Sequence, residues 1–343
     1  MVPRSARAPH FPGGGRIQFG DRPIPEPRPG QLLLRVRANA VCGTDREQHQ
    51  RGSTVIPGHE AAGEVVKAGP GVATPIGTVG VVFLMDYCGA CRSCRLGHTN
   101  QCLGKRDDMG FTADGGYGPY ELVHETNFFP TPGIPPVEAT LLLDVMGTSA
   151  HAIGRALQVQ PDVTSVSIAG AGPIGLGLGA MCRILLGWAT PVLVCDTNTY
   201  RLTLAESLGC LPVRVPRDSL AAATRRLGLD GADAAFDATG RTAGRRGLID
   251  ALTRRRGVLV CVGHGGRLEV NVSTQLIAPE RSILGSEYFR YDELPANLQR
   301  LRDHQRYLSR IITHRFPVER IDEALATFFA GRAGKVVVEQ EDP

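Results

Sequence analysis

Cys88, Cys91, Cys94 and Cys102 fall in the run CGACRSCRLGHTNQC, and no other feature limits the fold of this chain so strongly. Three cysteines at C-x2-C-x2-C, with a fourth eight residues on, let one short loop wrap a tetrahedral Zn²⁺ unaided. Thiolates suit zinc because it is a borderline-soft ion, and a four-sulfur shell leaves no position open to substrate. Such a closed site is structural. The lobe it defines, about residues 86–105, is therefore a staple and a landmark. Possible zinc ligands lie upstream of it and a dinucleotide fingerprint lies downstream.

With 343 residues the chain is long enough for two domains, each burying its own core. Its net charge of +4 is small for that length. The densest basic cluster is only Arg254-Arg255-Arg256, so nucleic acid is not an expected partner. No apolar run approaches the ~20 residues that cross a bilayer, and the first fifteen residues lack the apolar core of a secretory signal. The nine cysteines are odd in number and clustered as if for metal, which points to reduced thiols and a cytoplasmic protein.

The first ~150 residues carry short apolar or alternating runs bounded by Gly and Pro, as in 31–41, 63–69 and 79–84, and read as β-rich. The opening residues show no clear first strand, and the Pro-rich stretch 21–30 reads as a surface connection. From about residue 150 the texture changes. Strand candidates at 165–170, 191–196, 211–215, 232–240, 257–263 and 282–286 begin to alternate with helical segments such as 174–187 and 199–208. That alternation predicts an α/β domain, a parallel sheet covered on both faces. A last strand at 334–340 fits either domain.

The segment SVSIAGAGPIGLGLGAM follows one of those strands and opens a helix. Gly170 suits a tight turn, Gly172 lets the backbone approach a pyrophosphate, and Gly175 permits close helix–strand packing. Pro173 and Ile174 complete the loop. The next strand ends at Asp196, where a carboxylate accepts hydrogen bonds from ribose hydroxyls and repels a 2′-phosphate. This predicts NAD rather than NADP, with Arg201 the nearest basic residue that would alter the preference.

Two further pieces, VCGTD (41–45) and PGHEAAGEV (57–65), supply a thiolate at Cys42, an imidazole at His59 and a carboxylate at Glu60. Together with GGYGPY (115–120), GAGPIG, FDATG (236–240), HRFPVERIDEAL (314–325) and the cysteine lobe, they make the chain resemble the zinc-dependent medium-chain alcohol and polyol dehydrogenases. The resemblance covers nearly the whole length. It implies a GroES-like β-rich catalytic domain (1–150 and 293–343) split in sequence around a Rossmann doubly wound domain (151–292).

The resemblance further implies two zinc ions per chain and a catalytic one held by Cys42, His59 and a third ligand just before the Rossmann domain. The residue there is Asp144, on an apolar run where an unbound carboxylate is hard to explain. Glu60 is expected to stand behind the metal or exchange onto it. Thr44 matches the family's first proton-relay position. Relatives often place the second on a His or Tyr where this chain has Glu47, with His49 nearby. The implied reaction passes hydride between NAD and a small alcohol or its carbonyl product. A polar secondary alcohol is favoured: a polyol, cyclitol, sugar, or amino alcohol such as threonine. Arg46, Glu47 and His49 support polarity only if they line the pocket, and they fit a solvated loop equally well. The rival readings are a primary alcohol or formaldehyde enzyme, a zinc-free enone reductase, and a zinc-ribbon scaffold. The family's habit of pairing subunits implies a homodimer or homotetramer.

Overall fold

In a computed structural model, residues 2–340 are described. In chain order the strands are β1 (Ser5–Gly13), β2 (Arg16–Pro23), β3 (Gln31–Ala40), β4 (Ala61–Ala68), β5 (Val79–Val82), β6 (Tyr120–His124) and β7 (Phe128–Pro130). There follow β8 (Val166–Ala169), β9 (Val192–Asp196), β10 (Leu211–Arg214), β11 (Ala234–Asp237), β12 (Val258–Cys261) and β13 (Ser282–Gly285), then β14 (Ile312–Pro317) and β15 (Lys335–Glu339). The chain divides into two compact units. One comprises 1–143, 290–305 and 312–343, and the other comprises 144–289 and 306–311.

The first unit is built on a mixed sheet of order β14-β15-β3-β4-β5-β7, with β6 also paired to β3. β3 is its hub. Its run LLLRVRANA buries Leu32, Leu33, Leu34, Val36, Ala38 and Ala40, because a central strand is covered on both faces. The tail strand β15 joins this sheet, pairing Val337 with Ala40, and so belongs to the first unit. The opening residues depart from the sequence expectation. They form a hairpin, β1 against β2, in register from Ser5–Pro23 to His10–Gln18, with a shift before Gly13–Arg16. Phe11 and Ala8 pack it onto the cluster of Ile321, Leu325 and Val336. Its alternation is blurred by prolines and by Gly13-Gly14-Gly15, which hid it from pattern reading.

The second unit holds a six-stranded, wholly parallel sheet of order β10-β9-β8-β11-β12-β13. Its central strands are short apolar runs, VSIA and AAFD, buried along their length, while the edge strands β10 and β13 are more exposed. The chain winds outward from β8 in one direction and resumes at β11 in the other. A crevice therefore lies at the carboxyl ends of β8 and β11, where open α/β sheets take their ligands. Among the described residues no helix is long and apolar enough to cross a membrane.

Candidate active site and cofactor loop

Cys42, His59, Glu60 and Asp144 each bring one ligand atom to within 4.8 Å of the others. Cys42 follows β3, and its N–H donates to Asp45 Oδ2 at 2.8 Å. His59 and Glu60 immediately precede β4, and Asn39 on β3 accepts the Glu60 N–H at 3.2 Å. Asp144 is the second residue of a π-helical turn, Leu143–Thr148. Such turns re-aim side chains and recur at functional sites. His59, Glu60 and Asp144 are all buried. A thiolate, an imidazole and carboxylates at this separation are a donor set that fits zinc, and buried charge of this density calls for a cation.

Glu60 has a second commitment. The ammonium of Lys335, on β15, donates to Glu60 Oε1, and both groups are sealed from solvent. Sequence reasoning missed Lys335; the available signal was its rarity, one of three lysines in the chain. Tyr117 and Asp45 were also missed, although both lie in motifs singled out above. The fully buried Tyr117 hydroxyl donates to Asp45 Oδ2 at 2.6 Å. Burial pushes the Asp45 carboxyl up, against opposing pulls from His59 and from its hydrogen bonds. Burial, then the Asp45 charge, drives the Tyr117 hydroxyl well above its ordinary range. The phenol therefore remains a donor, and Asp45 carries the Cys42 backbone.

The relay candidates differ in their surroundings. Thr44 caps the helix Asp45–Arg51 without spending its hydroxyl on a capping bond, and it is exposed. Glu47 is on the surface in an ion pair with Arg51 at 2.5 Å. The His49 ring meets Phe11 edge-on at 5.9 Å and Phe329 at 6.0 Å, outside the four-ligand cluster.

The four lobe cysteines also gather their sulfurs within 4.8 Å. Backbone amides point at these sulfurs: Cys88 N–H to Cys102, Cys91 N–H to Cys88, and Leu103 N–H to Cys91, at 3.3–3.4 Å. The amides of Cys94 and Leu103 hold the Cys91 thiol down to about 6, whereas burial and its hydrogen-bonded neighbours push Cys94 up to about 12. One thiolate forms readily and crowding resists the last, a mismatch that a central dication relieves. The lobe fits zinc.

The glycine loop leaves β8 and enters the helix Pro173–Leu186, with Gly172 at the cap and Pro173 in the first turn. A side chain at Gly175 would bring its Cβ to 1.7 Å from the Gly170 carbonyl oxygen, so only glycine lets the helix seat so low. Asp196, at the end of β9, accepts the Ala171 N–H at 2.7 Å and the Asn198 N–H at 2.8 Å. These bonds join the acidic residue to the loop, and a carboxylate retains acceptor sites beyond them. Arg201 reaches to 4.0 Å from where a Cβ on Gly172 would be. A glycine loop at a helix N-terminus beside a carboxylate fits a dinucleotide. At the end of β11, buried Asp237 pairs with Arg245 at 2.7 Å, accepts the amides of Thr239 and Gly240 and fixes the FDATG loop.

Comparison with known proteins agrees. Residues 28–133 match the alcohol dehydrogenase GroES-like domain, and residues 173–303 match the zinc-binding dehydrogenase family. The chain is 30% identical to the L-threonine 3-dehydrogenase of Shewanella frigidimarina over 94% of this chain and 96% of that one. A zinc-binding dehydrogenase from Sinorhizobium meliloti, solved bound to NADP, superposes with a TM-score of 0.84 at 25% identity, over 98% of this chain and 99% of that one. Galactitol-1-phosphate dehydrogenase from Escherichia coli superposes at 0.86 with 22% identity, over 97% and 100%. The chain belongs to the zinc-dependent medium-chain dehydrogenase family, with a GroES-like and a Rossmann-type fold. It is an oxidoreductase of the alcohol dehydrogenase class that acts on small molecules with zinc and a nicotinamide dinucleotide. A zinc-ribbon scaffold is thereby set aside.

Proposed function

We propose that this chain oxidises a polar secondary alcohol to its ketone, using NAD. The observation that carries the reading is the convergence of Cys42, His59, Glu60 and Asp144 within 4.8 Å. Cys42, His59 and Asp144 would hold the catalytic zinc, with Glu60 kept behind it by Lys335, and the four lobe cysteines would hold the second, structural ion. Bound there, zinc supplies Lewis-acid polarisation of the substrate hydroxyl, and NAD supplies the hydride acceptor.

The protein's own part is positional and protonic. Asp45 and Tyr117 fix the backbone that presents Cys42. The free-standing Thr44 hydroxyl takes the substrate proton and passes it to the solvent in which it stands. The aromatic contacts of His49 support a packing role, so the relay does not depend on it. Gly170, Gly172, Pro173, Ile174 and Gly175 cradle the pyrophosphate. Asp196 takes the ribose hydroxyls and disfavours a 2′-phosphate, a feature of this chain that stands whatever its relatives bind.

The discontinuous unit is then the catalytic domain and 144–289 the core of the cofactor domain. The edge strand β13 offers a surface for a second copy, as a dimer or tetramer, and cysteines outside disulfides suit the cytoplasm. The test is NADH formation at mildly alkaline pH by zinc-loaded protein on primary alcohols, polyols, cyclitols, sugars and L-threonine. One polar secondary alcohol should turn over, preferring NAD⁺ to NADP⁺. Asp144→Ala should lose about 10³-fold in kcat/KM. Turnover of primary alcohols alone, or full activity in the variant, would contradict the reading.

A further inference from the structure

The loop after β8 and Asp196 at the end of β9 give the proposed dinucleotide a direction. Its adenosine half falls toward β9, so its other half runs over the carboxyl ends of β11, β12 and β13, on the opposite side of β8. Two ionisable side chains stand at that end with no part yet in the reaction. His264 lies three residues beyond β12, and Glu287 lies two beyond β13. His264 Nε2 and Glu287 Oε2 are 3.2 Å apart, with side-chain exposures of 77% and 43%.

An exposed pair is ordinarily mobile and weak, but the backbone beneath this one is fixed. A Cβ on Gly240 would lie 1.8 Å from the His264 carbonyl oxygen, so the β11 and β12 loops are in direct contact. Arg245 donates to the Gly263 carbonyl at 2.6 Å while paired with buried Asp237. Glu287 is followed by Tyr288 at φ +47°, left-handed backbone that a bulky residue rarely adopts, with its ring 4.2 Å from Phe289. Strain of that kind concentrates at ligand-binding positions. The groups acting on the imidazole are Glu287, Asp144 and Arg245, so the pair also lies within the electrostatic reach of a proposed zinc ligand.

Resting on the function proposed above, we propose that His264 and Glu287 form a specificity-determining pair that hydrogen-bonds substrate hydroxyls beyond the reacting carbon. The substrate is then a neutral polyhydroxylated molecule: a polyol, cyclitol or sugar. An imidazole and a carboxylate side by side offer donor and acceptor together, which matches vicinal hydroxyls, each of which gives and takes a bond. A substrate carboxylate would instead meet the charge of Glu287.

The test compares wild type, H264L, H264Q and E287Q on the best polyhydroxylated substrate, on 2-butanol and on L-threonine, with the Kd for NADH as a readout independent of turnover. H264L and E287Q should lower the polyol-to-butanol ratio of kcat/KM about tenfold or more, mainly through the polyol KM. H264Q, which retains a donor and an acceptor, should recover part of that ratio, and the Kd for NADH should move less than twofold. A parallel fall on both alcohols, an unchanged ratio, or a wild type that prefers L-threonine to every polyol would overturn the inference. Inactivity of the wild type on all alcohols would sink the dehydrogenase reading itself, and the inference with it.

Discussion

The sulfurs of Cys88, Cys91, Cys94 and Cys102 and the ligand atoms of Cys42, His59, Glu60 and Asp144 each gather within 4.8 Å, yet the two clusters are assembled by opposite means. The first spans fifteen residues and is shaped by its own amides, with Cys91 capping the short helix Arg92–Arg95 through its sulfur. The second draws on three separate segments. Two are aimed by partners distant in sequence, Tyr117 for the 42–45 turn and Asn39 with Lys335 for residues 59–60, and a π-helical turn carries Asp144. A closed local site needs only its ion to be stable, which suits a staple. A site gathered from afar has its geometry set by the rest of the fold, which is what a reaction centre requires.

Four substitutions would sharpen or break that contrast. The largest effect belongs to the staple. Cys91→Ser should lower the thermal midpoint by about 5 °C or more in calorimetry, because metal binding in such a lobe is folding energy. Cys42→Ser should leave the midpoint within about 2 °C, since its surroundings are held by packing and hydrogen bonds. Equal losses would erase the distinction.

Next comes the support of the gathered site. Tyr117→Phe keeps the buried ring against Phe11, 6.1 Å away, and removes only the hydrogen bond to Asp45. One zinc should then dissociate about tenfold faster into a chelator while the lobe zinc is unaffected. An unchanged rate would mean that Asp45 holds Cys42 unaided.

The smallest effect tests a buried carboxylate outside both clusters. Glu121 on β6 lies opposite Leu34, and neither of its side-chain oxygens has a hydrogen-bond partner. Burial, and then the Asp114 charge, drives its pKa well above the ordinary value. A raised carboxyl pKa means the folded state holds the proton more tightly than the unfolded one. Its contribution to stability is therefore lost as pH rises from the ordinary carboxylate range toward the folded pKa. Glu121→Gln should gain about 1–3 kcal/mol on wild type between pH 5 and pH 8 in urea titrations. A gap independent of pH would show that Glu121 is ionised at no cost.

What was legible in the sequence follows the same division. The cysteine lobe and the glycine loop could be read because their function is written in local spacing. That Cys42, His59 and Asp144 come together was legible through motif order. Lys335 was not, because its partnership with Glu60 exists only once β15 pairs antiparallel with β3. The bond from Tyr117 to Asp45 likewise joins residues 72 apart. The β1–β2 hairpin was hidden because prolines and three consecutive glycines interrupt its alternation, and its inner face is revealed by Phe11 and Ala8, with Ile17 and Phe19 beside them, packed against the C-terminal helix and strand. Glu47 and His49 drew notice as polar residues near Cys42, but helical geometry turns Glu47 to Arg51 and His49 to the aromatic cluster.

The most direct measurement is the zinc content of purified wild type, Cys42→Ser and Cys91→Ser by elemental analysis, each paired with NADH formation. Two ions per wild-type chain are expected, and one in each variant. Activity should vanish with the ion lost from Cys42→Ser, while the less stable Cys91→Ser, assayed at low temperature, should retain it. One ion in the wild type, or an active Cys42→Ser, would contradict the assignment of Cys42, His59, Glu60 and Asp144 as the reaction centre.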